Sequence, residues 1–376
     1  MRAHTAIIEK EDIHSFSWGG RDTARLIGLL IVLISFLVGA RNLYGQTTES
    51  RLSWLESVAP GERQGRLAEA ARAEGEVVAY ANMDVAAAKA LEDGFMKKYP
   101  SVKAHVVHFS GAAIITRVES EARAGKALSD VIDTGQIGML ALVDRKVMAH
   151  YRSPQRQFYR EEFKDKEGYW TAYMTNVMVT AHNTNLVKKD EAPRKLEDLL
   201  KPRWKGKLAM DSQSYVWFGA VLQSMGEEAG VRFMRKLNEQ DLKHIRGRRL
   251  MSQLVAAGEF DMAIETNLNS VFSLARQGAP LWFAPIQPLF FSPSMFFLSQ
   301  HALHPHAGAL FIDFILSEEG QRIVASTDRM PTNSNVKSGE SQLLEGLEIR
   351  MPDVLDIGRR YNAIGRQYRE IFPGAR

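Results

Sequence analysis

Three groupings in this sequence have residue types and spacing suited to chemistry. His301, His304 and His306 place three imidazoles at a spacing that suits zinc. The chain has no cysteine, and no neighbouring carboxylate completes a tetrahedral set. With Pro305 at a first-turn position, the segment reads instead as the entry to a helix from Ala307 to Thr327, so no metal site is expected. His108 beside Ser110 supplies a base and a nucleophile, yet strand positions alternate faces and no third group orients them. Lys243, His244, Arg246, Arg248 and Arg249 form the densest basic cluster. Such clusters usually form a solvated face. The functional alternative is a guanidinium pairing bidentately with a carboxylate or phosphonate, with Arg246 as the candidate.

Catalysis finds little support. Lack of cysteine removes thiolate nucleophiles, disulfides and a lipid-modified N-terminal cysteine. Neither a Gly-x-Ser-x-Gly elbow nor a phosphate-loop or dinucleotide glycine pattern is present. No catalytic residue and no cofactor are assigned. Lys and Arg total 48 against 44 acidic residues, without a block long enough to track phosphates, which argues against a nucleic-acid partner.

The elements that must position any site alternate between strand and helix. Val77, Val78 and Tyr80 read as a strand, Ala86 to Tyr99 as a helix stopped by Pro100, and Val102 to Phe109 as a second strand. Ala112 to Ala124 is an amphipathic helix opened by Ser110-Gly111, and Val131-Ile132 a third strand. The alternation restarts with strands at Val177 to Ala181, Lys207 to Met210 and Phe260 to Ile264. Helices at Val216 to Met225, Leu250 to Ala257 and Ser270 to Gln277 lie among them. Leu52 to Ala73 and Val354 to Ile371 have helical spacing, and the apolar stretch Phe290 to Phe297 reads as a buried strand. This βαβ pattern predicts helices covering mostly parallel sheet, laid out as two sheets joined by crossing segments.

Ligands in open α/β sheets bind outside the carboxyl ends of strands. That rule selects Asn82, then Ser110, Gly111 and Ala112, then Thr134 and Gly135 in the first half. In the second half it selects Asp211, Ser212, Ser214 and Tyr215, with Glu265, Thr266 and Asn267. Ser110-Gly111 could hold a polar or anionic group on free backbone N–H groups, or simply cap its helix. Tyr80 and Tyr215 offer aromatic faces, whereas Trp217 and Phe218 are expected in the core.

Several segments resemble the type 2 periplasmic solute-binding proteins, in the branch of ferric-iron, thiamine, polyamine and phosphonate receptors. They include Gly75 to Tyr80, Lys98-Tyr99-Pro100, Ser110-Gly111 with Arg117-Val118, Ala181 to Thr184 and Pro202 to Lys207. Ala256 to Glu259, Leu316 to Gln321 and Pro331-Thr332-Asn333 continue the series, which spans roughly residues 75 to 337. The resemblance implies an α/β, two-lobed fold with the ligand cleft between two mixed sheets flanked by helices. It further implies a periplasmic receptor of an ABC importer, working with a membrane permease and its ATPase, as a monomer and not as an enzyme. One departure bears on the ligand. Ferric receptors of this branch carry two adjacent tyrosines after the strand ending here at Glu265, where this chain reads Thr266-Asn267-Leu268-Asn269. An anionic organic solute is therefore expected rather than bare ferric iron. The runner-up is an iron or iron-complex receptor, with a membrane-tethered sensor or an enzyme on the same fold as readings of another class.

Arg21 and Arg25 precede an apolar run from Leu26 to Val38 and small residues at Gly39, Ala40 and Gly45, the order of a secretory signal. Residues 1–45 are expected to be that signal or an N-terminal anchor. The expected organisation continues with a helical extension over 46–75, a first lobe of 76–175 plus about 290–337, a second lobe of 176–289 and a helical tail over 338–376.

Overall fold

The computed structural model describes residues 46–83, 85–143 and 145–375, so the expected signal segment lies outside the described residues. From Thr47 onward the chain forms one compact unit. Strands β1 (Glu76–Ala81), β2 (Lys103–His108) and β3 (Val131–Gly135) are parallel, with β1 in the middle. The helices Val85–Lys98 and Gly111–Arg123 connect them. The first ends before Pro100, which disfavours helical geometry at the preceding residue. The second buries Ile114 and Val118, four residues apart on one face.

The short β4 (Met148–Ala149) precedes β5 (Thr171–Asn183), thirteen residues of which twelve are buried, as a strand covered on both faces must be. Strands β6 (Leu208–Asp211), β7 (Lys243–Ile245) and β8 (Met262–Asn267) form a second parallel group, β6 pairing with both others. Three further strands follow β9 (Leu281–Ala284): β10 (Leu289–Ser299), β11 (Met330–Pro331) and β12 (Ile349–Arg350). The order β2-β1-β3-β10-β5-β8-β6-β7 is hydrogen-bonded end to end. The two expected sheets are thus a single continuous one. Antiparallel β5 and β10 belong to both halves, with β3 on the outer edge of β10 and β8 on the outer edge of β5. The Phe-rich segment is the β10 strand, buried as expected.

Each half has its own apolar core. Phe95, Phe296, Phe311 and Phe314 anchor the first; Trp204, Phe218, Phe233 and Tyr368 anchor the second. Burying each such side chain is worth roughly 2–3 kcal/mol before entropy is counted.

Three helical readings are corrected. The expected helix from Ala307 to Thr327 is two, Pro305–Leu316 and Glu318–Ser326. Ser317 adopts an extended backbone (ψ 162°) and accepts the Gly320 N–H, capping the second helix. Gly320 is needed at that corner, since a Cβ there would lie 2.2 Å from the Phe314 carbonyl oxygen. The Leu52 to Ala73 segment breaks into a 3-10 turn over Ser53–Ser57 and the helix Pro60–Glu74, restarted by Pro60 at its first turn. The tail breaks at Arg360 into Val354–Arg359 and Tyr361–Ile371. Helices Gln136–Val143 and Glu227–Asn238 complete the fold and were not foreseen.

Candidate functional site

The residues singled out at strand ends fall into two groups. In the second half, the loops after β6, β7 and β8 are cross-linked around Glu265. Its carboxylate is fully buried, accepts the Arg248 Nε–H at 2.6 Å through Oε1 and the Ser214 hydroxyl at 2.6 Å through Oε2. Asp211 ties the β6 loop to the β7 loop: Oδ1 accepts the Gln213 N–H and Oδ2 the Gly247 N–H at 2.8 Å. The Thr266 hydroxyl donates to the Arg248 carbonyl and meets the Ser252 hydroxyl at 2.7 Å. Glu265 holds φ at +58°, a conformation that costs a non-glycine residue about 1–3 kcal/mol and persists only when neighbours impose it. Arg248 and Ser214 are those neighbours.

Burial pushes the Glu265 carboxyl above its usual range, although Arg248 and Ser214 pull the other way. The opposed charge of Glu265 raises the Arg248 guanidinium despite its own burial. Only Nε of Arg248 bonds among the described residues, so the outer nitrogens remain as donors on a side chain that is 33% exposed. Sequence reasoning named Arg246. That residue is exposed and makes no hydrogen bond or ion pair among the described residues, while Arg248, two positions on, is the guanidinium that the fold fixes in place.

Tyr215 is buried against the tail. Its hydroxyl accepts the Arg369 Nη1–H at 2.9 Å, and its ring meets Tyr361 and Tyr368 edge to face. The Tyr368 hydroxyl donates to the Asp211 carbonyl at 2.7 Å. The tail thus buttresses the β6 loop, a role for which the sequence had no account. Ser212 donates its N–H to the Ile245 carbonyl. Asn267 precedes helix Leu268–Arg276 without capping it through its side chain, and Asn269, in the first turn, has a buried Oδ1 without a partner among the described residues.

The first-half group is looser. Ser110 is a cap, its Oγ accepting the Ala113 N–H at 3.4 Å, and Asn82 Nδ2 lies beside Gly111, 3.4 Å from where a Cβ would stand. Asn82, Ser110 and Ala112 are exposed. Beneath them the Asn82 N–H donates to Asp133 Oδ2 at 3.0 Å. Burial pushes the Asp133 carboxyl up to about 7, although Asn82, Tyr173 and Arg329 draw it down. Thr134 is buried against Gly138, at 1% exposure, and so packs a helix rather than facing solvent; Gly135 is half-buried. No hydrogen bond or ion pair joins the two groups among the described residues.

Two of the three predicted histidines are spent on structure, and His301 is exposed. His304 pairs with Asp130 at 3.0 Å, while His306 pairs with Glu74 at 2.6 Å and accepts the Trp54 indole N–H. Folding therefore brings carboxylates to both that the local sequence lacked, but among the described residues no His, Asp and Glu group is arranged to hold a metal ion. Likewise His108 faces the Met83 carbonyl at 2.5 Å rather than a nucleophile.

The model of the family described as bacterial extracellular solute-binding protein matches residues 127–353, from the turn before β3 to just beyond β12. A "Fe(3+)-binding periplasmic protein" of Serratia marcescens is 23% identical over 274 residues, covering 69% of this chain and 79% of that protein. The periplasmic binding protein AfuA of Actinobacillus pleuropneumoniae, solved with fructose-6-phosphate bound, superposes with a TM-score of 0.68 at 20% identity, covering 80% of this chain and 99% of that one. The Trichodesmium protein IdiA (FutA), solved with iron and citrate, gives 0.69 at 17% identity, covering 79% and 99%. These relatives are binding proteins. The matched span, more than half of the chain, shows that this chain belongs to the bacterial extracellular solute-binding proteins.

Proposed function

We propose that the protein is the periplasmic substrate-binding component of an ABC importer, capturing a small anionic organic solute by closing two lobes around it and delivering it to the permease. The observation that carries this reading is Arg248, clamped by Glu265 with its outer nitrogens unpaired. A pre-set guanidinium offers two parallel donors to a carboxylate or phosphate without losing rotamer freedom on binding. The N–H groups at Ser110-Gly111 supply neutral donors to the anion, and Asn269 Oδ1 an acceptor for a hydroxyl of the solute. The lobes would be residues 76–175 with about 290–337, and 176–289, hinged at β5 and β10. Closure then shifts a population toward a state in which one ligand touches both lobes.

Thr266-Asn267-Leu268-Asn269, in place of paired tyrosines, supports a solute other than bare ferric iron. An anionic iron complex is the second reading. It is favoured by the Serratia relative's name and by the citrate beside iron in the Trichodesmium protein.

A thermal-shift screen of the purified protein tests both. Citrate, ferric citrate, fructose-6-phosphate, alkylphosphonates and ferric salts are compared, since a ligand at about 100 times its Kd adds about 2.7 kcal/mol to the native state. One anionic class is expected to raise Tm by a few degrees, and Arg248→Ala to abolish the rise. A rise with ferric salt alone, unaffected by Arg248→Ala, would sink the anionic reading.

A further inference from the structure

The opposite end of β3 carries a second concentration of unpaired positive charge. A cavity of about 190 Å³ lies where helix Gly111–Arg123 and helix Gln136–Val143 end, beside the last residues of β10. Lys126, Arg145, Lys146 and His301 line it, against one carboxylate among the described residues, that of Glu121. That carboxylate is occupied by the Tyr80 hydroxyl, the Arg117 guanidinium and the Leu128 N–H. Arg145 bonds Glu119 through Nε only. The side chains of Lys126, Lys146 and His301 make no hydrogen bond or ion pair among the described residues. The bland reading of lysines at helix C-termini is that they cap terminal carbonyls, but neither ammonium reaches one here.

A second, independent feature lies in the same cavity. Ser299 lines it, is 3% exposed, and its Oγ is buried without a hydrogen-bond partner among the described residues. Buried hydroxyls without partners are rare and costly, and each asks for an acceptor or donor that the protein itself has not supplied. An oxyanion oxygen accepts from a hydroxyl and from ammonium groups alike. The volume is several times the ~30 Å³ share of one water molecule, enough for an ion of five heavy atoms. Lys146 reaches the cavity from a backbone with φ +53°, one of four non-glycine residues in the left-handed region among the described residues.

We propose that this cavity is a second binding site, for a small tetrahedral oxyanion of the phosphate type. Its polar edge at Ser129 lies five residues before Thr134, about 16 Å at the rise of an extended chain, so the cavity opens at the opposite end of β3 from the cleft loops, with Ile132 the lining residue nearest to them. Occupancy gives Ser299 its missing acceptor and neutralises Lys126 and Lys146 between two helix ends.

Calorimetric titration of inorganic phosphate into the purified protein at constant ionic strength tests it. Saturable binding is expected below about 10 mM. The double substitution Lys126→Ala with Lys146→Ala is expected to weaken it at least about tenfold. Ser299→Ala is expected to weaken it severalfold without lowering the phosphate-free Tm, because no protein hydrogen bond is lost and an unpaired buried hydroxyl is removed. Arg248→Ala should leave phosphate affinity unaltered, so failure here is separable from failure of the cleft reading. Absence of saturation would overturn the site, as would an affinity that falls with Arg248→Ala but not with the lysine pair. Sedimentation with vesicles containing phosphatidylglycerol supplies the remaining arm. Retention through Lys126 and Lys146 without saturable free phosphate would overturn a small-ion site in favour of lipid headgroups.

Discussion

The two halves present their strand ends in different states of preparation. In the second half, three loops are joined by a buried ion pair, a serine hydroxyl and two backbone N–H groups, with Tyr368 reaching in from the tail. The first half exposes Asn82, Ser110 and Ala112, held by the Asn82 N–H to the buried Asp133, by the Phe109 N–H to the Ala81 carbonyl and by a 3.4 Å cap, with no ion pair joining these loops among the described residues. One side has already lost the entropy that binding would cost, and the other has not. Ligand charge should therefore engage the second half first, with the first half closing over it.

The sharpest way to break this contrast is Glu265→Ala. Removing one partner of a buried pair typically costs 3–5 kcal/mol, and the remaining exposure of Arg248 lowers the expectation to about 2–4 kcal/mol. Denaturant unfolding gives the number. Glu265→Gly separates the causes, since it relieves the φ +58° strain while losing the same carboxylate. A cost below about 1 kcal/mol for Glu265→Ala would mean that the loops hold themselves without the clamp.

The buried acid of the first half should respond to pH instead. Asp133 titrates near 7 when folded and near 3.8 when unfolded. Below about pH 4 both states are protonated. As pH rises toward 7 the unfolded chain ionises first, so stability present at low pH is lost progressively through about pH 7. The loss approaches 4 kcal/mol at most, from three pKa units at 1.36 kcal/mol each. Asp133→Asn should flatten this slope, read from Tm or urea midpoints between about pH 4 and about pH 8. Parallel wild-type and variant curves would show that Asp133 is already ionised in the native state.

The contrast between the halves was partly legible in the residues. Strand ends at Asn82, Ser110, Asp211 and Glu265 follow from alternation and from Pro and Gly stops, which are local signals. The choice of Arg248 over Arg246 was not available, because it depends on where β7 ends and on a glutamate seventeen positions away. The breaks at Ser317 and Arg360 were hidden by helical spacing that continues across them; only the Phe314–Gly320 approach shows why the first must turn. The single sheet escaped notice because one long β-rich segment reads the same whether it closes one sheet or joins two. Helix Glu227–Asn238 carried its own signal, with Glu227 and Glu228 in the first turn and Arg235 and Lys236 in the last.

The smallest effect is also the most discriminating, since it asks whether Ser110 faces ligand or merely starts a helix. Ser110→Ala removes a long and exposed cap, so stability should fall by about 0.5–1 kcal/mol. That loss alone is ambiguous. Ser110→Asp keeps an N-cap acceptor and adds negative charge at the positive end of helix Gly111–Arg123, which preserves or raises stability. The same carboxylate would repel an anionic solute closing against the first half. Stability retained with affinity for the anion lowered about tenfold places Ser110 at the ligand. Stability and affinity both retained would leave Ser110 a cap, and the anion held by the second half alone.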